Sequence, residues 1–393
     1  MSEYGKITVD LGNSETRVNI DFKSKDGVSV YKNLFLSNKF YEFDTNSINI
    51  PSTYKPDTTS VFKITGEYSG VYANGDIVEK EYSSLALKPT AKLTKASFIS
   101  ALSFSLCVMK AVDVITEKVK LDLNDIDIEW DVVALMPPEQ CTGENIDAFK
   151  EELRKINCVT NYFNKQGTNF KIPIKIKDVT VHPEGFSAFV GCIYTPEISI
   201  REGYGKYLER TILVLDIGAG TTDLIMIVNG EVVDGSKATI SYGGLNVRAK
   251  AKKLIKAKYH YDNISDSELE VAISTGKLKD GSVYRDVSEY VMHAKREVSK
   301  ALVAEIQDYL QSIDFSLRSV EDALIVGGGT LGGESGSGIE PMSKAIMENL
   351  KVFSPNIGEI ELPTIVNENG KPEQLSARLV NFEGACVLSK AEQ

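Results

Sequence analysis

Two stretches of this sequence place an aspartate near the end of an apolar run, then glycine, then small polar side chains. The first is Ile7-Thr8-Val9-Asp10-Leu11-Gly12-Asn13-Ser14-Glu15-Thr16. The second is Ile212-Leu213-Val214-Leu215-Asp216-Ile217-Gly218-Ala219-Gly220-Thr221-Thr222-Asp223, its aspartate 206 positions after Asp10. Gly12, Gly218 and Gly220 allow a turn whose backbone approaches a ligand closely and points N–H groups at an anion. Asn13, Ser14, Thr16, Thr221 and Thr222 add side-chain donors at the same turns. Asp10 and Asp216 suit a hydrated Mg²⁺, which takes few protein carboxylates and keeps several waters. Two such loops would clamp a polyphosphate. Either stretch alone reads equally well as an ordinary hairpin with Asp and Thr capping its turn; the matched pair favours the ligand loops.

A third loop, Gly327-Gly328-Gly329-Thr330, directly follows the apolar run Ala323-Leu324-Ile325-Val326, the position of a ligand loop at the C-terminal end of a strand. Its G-x-G-x-x-G match over 327–332 is weak, because no dinucleotide unit follows it. Ser335-Gly336-Ser337-Gly338 reads as plain loop. Pro183-Glu184-Gly185 supplies a carboxylate that can orient and polarise a water for in-line attack on a terminal phosphate. From the residues alone, Glu184 reads as well as a surface carboxylate at a helix N-terminus. No P-loop, nucleophile elbow or H-E-x-x-H motif is present. Trp130 reads as a domain-edge packing residue and His182 as structural.

These residues need elements to hold them, and the elements come twice in one order. Each Asp-Gly turn joins two apolar runs that read as a strand hairpin. Val132–Met136, ended by Pro137-Pro138 and followed by a helical segment at 144–155, matches 323–326, its glycines and a helical segment at 342–350. Pro183-Glu184-Gly185-Phe186 is echoed by Phe382-Glu383-Gly384-Ala385. A chain of two similar α/β halves explains all three echoes. The expected division is 1–185, with 365–393 returning to it, and 186–364. Residues 31–90 read as an inserted, irregular β subdomain and 244–318 as a helical insertion, opened by Gly243-Gly244.

Composition narrows the function classes. With 393 residues, 42% hydrophobic and 25% charged, the chain can bury two or three domain cores. Its 44 Lys and Arg against 55 Asp and Glu leave a net charge of −11, which disfavours direct nucleic-acid binding. Five scattered cysteines and three histidines suggest neither a disulfide framework nor a zinc site. The start lacks a signal-peptide pattern, and the apolar stretch near 98–114 reads as too short and polar to span a bilayer. A cytoplasmic protein without membrane contact is the expectation.

The three loops resemble those of the superfamily that unites actin, sugar kinases and heat-shock-chaperone ATPases. Asp10–Thr16 is similar to its first phosphate loop, Asp216–Asp223 to its second, Gly327–Thr330 to its adenosine loop. Pro183–Ala188 and Phe382–Ala385 resemble its two connecting helices. The resemblance implies an α/β, duplicated actin-like (ribonuclease H-like) two-domain fold, with a nucleotide cleft between the domains and an inserted subdomain in each half. It implies ATP with Mg²⁺ as the bound species, GTP being left open by loops that read phosphates and not the base. Asp10 and Asp216 would serve the metal and Glu184, with Asp216, the hydrolytic step. Arg17 falls where actin carries a phosphate-binding lysine, Gly244 opens the ribose-side helix, and Gly328, Gly329 and Thr330 line the adenosine. The purine pocket is not placed by these motifs, although helix residues near Lys295, Arg296 and Glu297 or Lys300 could border it.

Within the superfamily, the length leaves no room for a chaperone-type substrate domain. The pattern also lacks the amphipathic ends of the division and cell-shape actins. What remains resembles the plasmid-segregating actins of the ParM and Alp group. That similarity implies a dynamic homopolymeric filament that turns over with ATP hydrolysis and moves plasmid DNA through a ParR-like adaptor. A charge of −11 predicts that assembly is salt-sensitive. A small-molecule kinase or a non-polymerising regulatory ATPase of the same fold stays open as the alternative.

Overall fold

The structure is a computed structural model that describes residues 3–392, apart from 13–14, 45–49, 51, 88–93, 165–166, 168, 262, 331, 335 and 367–370. Asn13 and Ser14 therefore lie outside the described residues. The chain divides into two compact units. One comprises Met1–Met136, Gln140–Pro183 and Ser389–Gln393, the other Pro137–Glu139 and Glu184–Leu388. The expectation put all of 365–393 with the first half. In the structure 365–388 counts with the second, because Leu375 and Val380 join the core formed by Ala188, Ile212 and Val326.

The first unit is built on a five-stranded sheet in the order Lys175–Pro183, Ile128–Met136, Glu3–Leu11, Glu15–Lys23, Ser29–Ser37. The first three strands are parallel, and the last two continue as antiparallel hairpins. Val18, Ile20 and Phe22 alternate onto the core, whereas the central strand is buried on both faces from Ile7 to Leu11. The helix Phe98–Lys118 packs on this sheet; Ser97 caps it by accepting from the Ser100 N–H at 3.4 Å. Among the described residues it is the one helix long and apolar enough to cross a membrane, so the reading of 98–114 as too short and polar was wrong. Burial against the sheet accounts for its apolar character. Trp130 is no edge residue either: its ring is fully buried and lies where a side chain on Gly5 would stand.

A second sheet in this unit runs Phe40–Phe43, Gly70–Gly75, Thr59–Gly66, Ile156–Asn161, Phe170–Pro173. The expected insertion at 31–90 thus differs at both ends. Strand Ser29–Ser37 belongs to the main sheet, and residues 156–173 supply two strands of the subdomain.

The second unit repeats the local plan. Thr211–Ile217 forms a hairpin with Thr222–Val228 and lies parallel to Asp322–Val326. Leu213, Leu215 and Ile217 face one core, Ile212 and Val214 the other, so this strand is covered on both sides. Helices Gly244–Tyr259, Ser288–Ser312 and Met342–Phe353 contribute to the first core, Phe186–Ile193 and Val380–Ala391 to the second. Residues 244–318 carry the helices Gly244–Tyr259, Asp266–Thr275 and Ser288–Ser312, together with the hairpin of Lys277–Asp280 and Val283–Asp286.

Candidate functional site

In the first unit, Asp10 is the next-to-last residue of its strand and lies directly across from Arg17 on the next. Arg17 Nη1 lies 2.9 Å from Asp10 Oδ2, with each side chain 11% exposed, and Arg17 Nε lies 3.3 Å from Glu15 Oε2. Arg17 is therefore engaged by two carboxylates, and Asp10 carries a guanidinium where the sequence suggested a metal. Gly12 cannot carry a side chain, since a Cβ there would stand 2.6 Å from the Glu15 carbonyl oxygen. Thr16 is buried, and its Oγ1 has no hydrogen-bond partner among the described residues.

Three residues that the sequence did not single out hold this loop. The buried Asn38 donates from Nδ2 to the Gly12 carbonyl and bonds through Oδ1 to the Ser103 hydroxyl. Lys95 Nζ donates to the Leu11 carbonyl at 2.5 Å, placing an ammonium at the loop. No local pattern marks such residues, because each acts on a loop dozens of positions away in sequence.

In the second unit the turn after Asp216 closes through Gly218 N–H to the Thr221 carbonyl at 2.8 Å. Gly244 N donates to the Gly218 carbonyl at 3.1 Å and Leu245 N to the Ala219 carbonyl at 2.6 Å, so the first amides of this helix hold the turn. Gly220 and Thr221 stay half-buried on the loop. Thr222 turns inward: it is buried, and its hydroxyl donates to the Tyr242 carbonyl at 2.7 Å. The third loop packs onto the same turn. A Cβ on Gly327, whose φ is +95°, would stand 2.2 Å from Asp216 Oδ1, and one on Gly329 would stand 2.0 Å from the Gly218 oxygen. Only glycine permits that stacking. Gly328 stays exposed beside the Arg378 side chain, and Thr330 closes the loop with a 3.1 Å bond from Oγ1 to the Gly327 carbonyl.

Asp216 is mostly buried, and its Oδ2 accepts from Asn381 Nδ2. Asn381 Oδ1 in turn accepts from the Gly185 N–H at 2.9 Å. Gly185, at φ +77°, turns the chain from Glu184 into the helix Phe186–Ile193. Asp216, Glu184 and the 327–330 loop are thus brought together within one unit.

Lys295 is fully buried, with Nζ donating to the Glu340 carbonyl at 2.6 Å, and burial pushes its pKa down to about 8. It faces the core because it sits on the apolar stripe of its helix, beside Val291, Ala294 and Val298. Arg296, Glu297 and Lys300 are exposed, Glu297 in an ion pair with Lys250.

No family model matches the chain, and no curated protein matches its sequence. Solved structures match it end to end. The archaeal actin homolog Ta0583, also solved in complex with ADP, superposes with a TM-score of 0.64 at 14% identity, covering 99% of both chains. The actin-like protein Alp7A gives 0.65 at 17%, covering 100% of this chain and 97% of its own. A subunit of a 15-stranded ParM filament from Clostridium botulinum gives 0.60 at 17%, covering 100% of each. The fold is actin-like.

In this actin-like chain the donor set suits one kind of cation. Among the described residues no cluster of three or more His, Cys, Asp or Glu side chains forms a cage. Asp10 and Asp216 are hard carboxylate donors, and a protein donor already engages Oδ2 of each. Such isolated hard donors fit Mg²⁺ held through its waters and a substrate's phosphates, and do not fit a metal that demands four or more protein ligands.

Proposed function

We propose that this actin-like chain binds and hydrolyses ATP with Mg²⁺ and polymerises into dynamic filaments. We propose further that these filaments segregate plasmid DNA in the cytoplasm through a ParR-like adaptor. The observation that supports the nucleotide reading is the stack of glycine loops on the Asp216 turn, where backbone meets backbone so closely that side chains are excluded. Full-length likeness to ParM and Alp7A supports the filament, and the charge of −11 supports a separate adaptor for DNA.

On this reading Gly218, Gly220 and Thr221 of the second unit take phosphates and Gly328 and Thr330 the nucleoside, while Gly12 belongs to the phosphate loop of the first unit. The Lys95 ammonium adds positive charge at the first loop that Arg17, paired to Asp10, supplies only in part. Glu184 orients and polarises the attacking water. Mg²⁺, when bound, would neutralise phosphate charge, with Asp216 the candidate carboxylate of the second unit and Asp10 that of the first. The test is Glu184→Ala. The variant is expected to assemble with ATP but to hydrolyse it about 100-fold more slowly, as loss of a general base does, leaving long-lived polymer. Hydrolysis at the parent rate would remove Glu184 from the mechanism.

A further inference from the structure

We propose that Asn381 is a positioning residue for hydrolysis: its side-chain amide ties the Asp216 carboxylate to the turn that aims Glu184. The inference rests on the reading of Glu184 and Asp216 as parts of one hydrolytic site.

Asn381 lies in the first turn of the helix Val380–Ala391 and is 7% exposed. Its two ends meet groups of opposite character. The Asp216 carboxylate can only accept and the Gly185 amide can only donate, which fixes the side-chain orientation with Nδ2 toward Asp216 and Oδ1 toward Gly185. Among side chains of this length, only an amide donates at one end and accepts at the other. Alanine would remove both the acceptor of the buried Gly185 N–H and one donor to the Asp216 carboxylate.

The surroundings make this a stiff link. A Cβ on Gly384 would lie 1.6 Å from the Ser187 carbonyl oxygen, and one on Gly191 would lie 2.4 Å from the Val380 oxygen. The helix bearing Asn381 and the helix that begins after Glu184 therefore meet backbone to backbone, with no side chains between them to yield. One residue group upstream, Ala377 accepts from the Gly327 N–H at 2.8 Å, and the Arg378 side chain lies against Gly328. The segment 377–381 thus touches the glycine loop, Asp216 and the Glu184 turn in succession. A displacement of Asp216 is passed through one amide to the backbone next to Glu184.

Asn381→Ala and the milder Asn381→Ser test this in the full chain by two readouts. The first is hydrogen exchange without nucleotide: the peptide spanning Gly185 is expected to exchange at least tenfold faster, with helix Met342–Phe353 unchanged. The second is steady-state ATP hydrolysis. We expect kcat to fall at least tenfold with KM within threefold, since the amide acts through Glu184 and touches no nucleotide. Unchanged exchange at Gly185 would overturn the link. Loss of kcat and affinity in parallel with faster exchange throughout the unit would reduce Asn381 to a stabilising residue. If the parent protein hydrolyses no ATP, the hydrolytic role fails with the proposed function, while the exchange readout still decides whether the amide bridges.

Discussion

Placing one methyl group at Gly384 should separate the two helices that frame the Glu184 turn. A Cβ there would stand 1.6 Å from the Ser187 carbonyl oxygen, 2.6 Å from the Ser187 carbonyl carbon and 2.8 Å from the Gly191 nitrogen, all backbone atoms that no rotamer change can move. An ordinary contact needs about 3.4 Å, so the helices must part by about 1.5–2 Å. Ala188, Phe189, Cys192, Ile193 and Val380 then lose close packing in their shared core. Overpacking of this kind typically costs 1–3 kcal/mol and sometimes more. Contact with rigid backbone puts Gly384→Ala at about 4 kcal/mol, from which helix propensity returns about 1. The net of about 3 kcal/mol, acting on a unit of about 200 residues, predicts a fall in Tm of about 6–12 °C. Differential scanning calorimetry of Gly384→Ala beside Gly332→Ala, where a Cβ meets nothing within 4 Å, isolates the effect. A Tm for Gly384→Ala within 2 °C of the parent would refute the close packing of these helices.

Two other perturbations probe the site and its support. Asn38→Ala removes the amide that holds the Gly12 carbonyl; it is expected to cost about 1–3 kcal/mol and to weaken Mg-ATP binding about tenfold by calorimetric titration, unchanged affinity being the contrary result. Lys295 gives a pH signature: its folded pKa of about 8 lies below the ordinary 10.5, so between these values the unfolded chain holds a proton that the folded chain has released. Stability from this group therefore rises with pH across that window. The parent should gain about 2 kcal/mol on Lys295→Met between pH 7.5 and 10 in urea denaturation, and a constant difference would contradict the burial of a charge there.

Sequence carried the plan of the molecule further than its details. Both Asp-Gly hairpins and the glycine loop were legible, because apolar runs that end in glycine state strand and turn together. The order of elements repeated in the two halves pointed to the duplicated α/β fold. What escaped depends on distant partners. Asn38, Lys95 and Asn381 are single polar residues in unremarkable surroundings, and each matters through a group far away in sequence. Lys295 reads in the sequence as a residue near the purine, but its position on the apolar stripe of its helix buries it. The hairpin at 277–286 was missed despite a signal, Asp280-Gly281 between alternating residues, because helical periodicity on either side outweighed it. The strand at 156–161 followed a helix without a glycine or proline stop, so nothing local announced the change.

Right-angle light scattering of the purified chain on addition of ATP and Mg²⁺, over a protein concentration series, tests the central claim most directly. The account predicts a rise in scattering above a critical concentration that EDTA abolishes. A flat trace at every concentration, with ATP still hydrolysed, would contradict the filament and make the chain a kinase or regulatory ATPase on an actin-like fold.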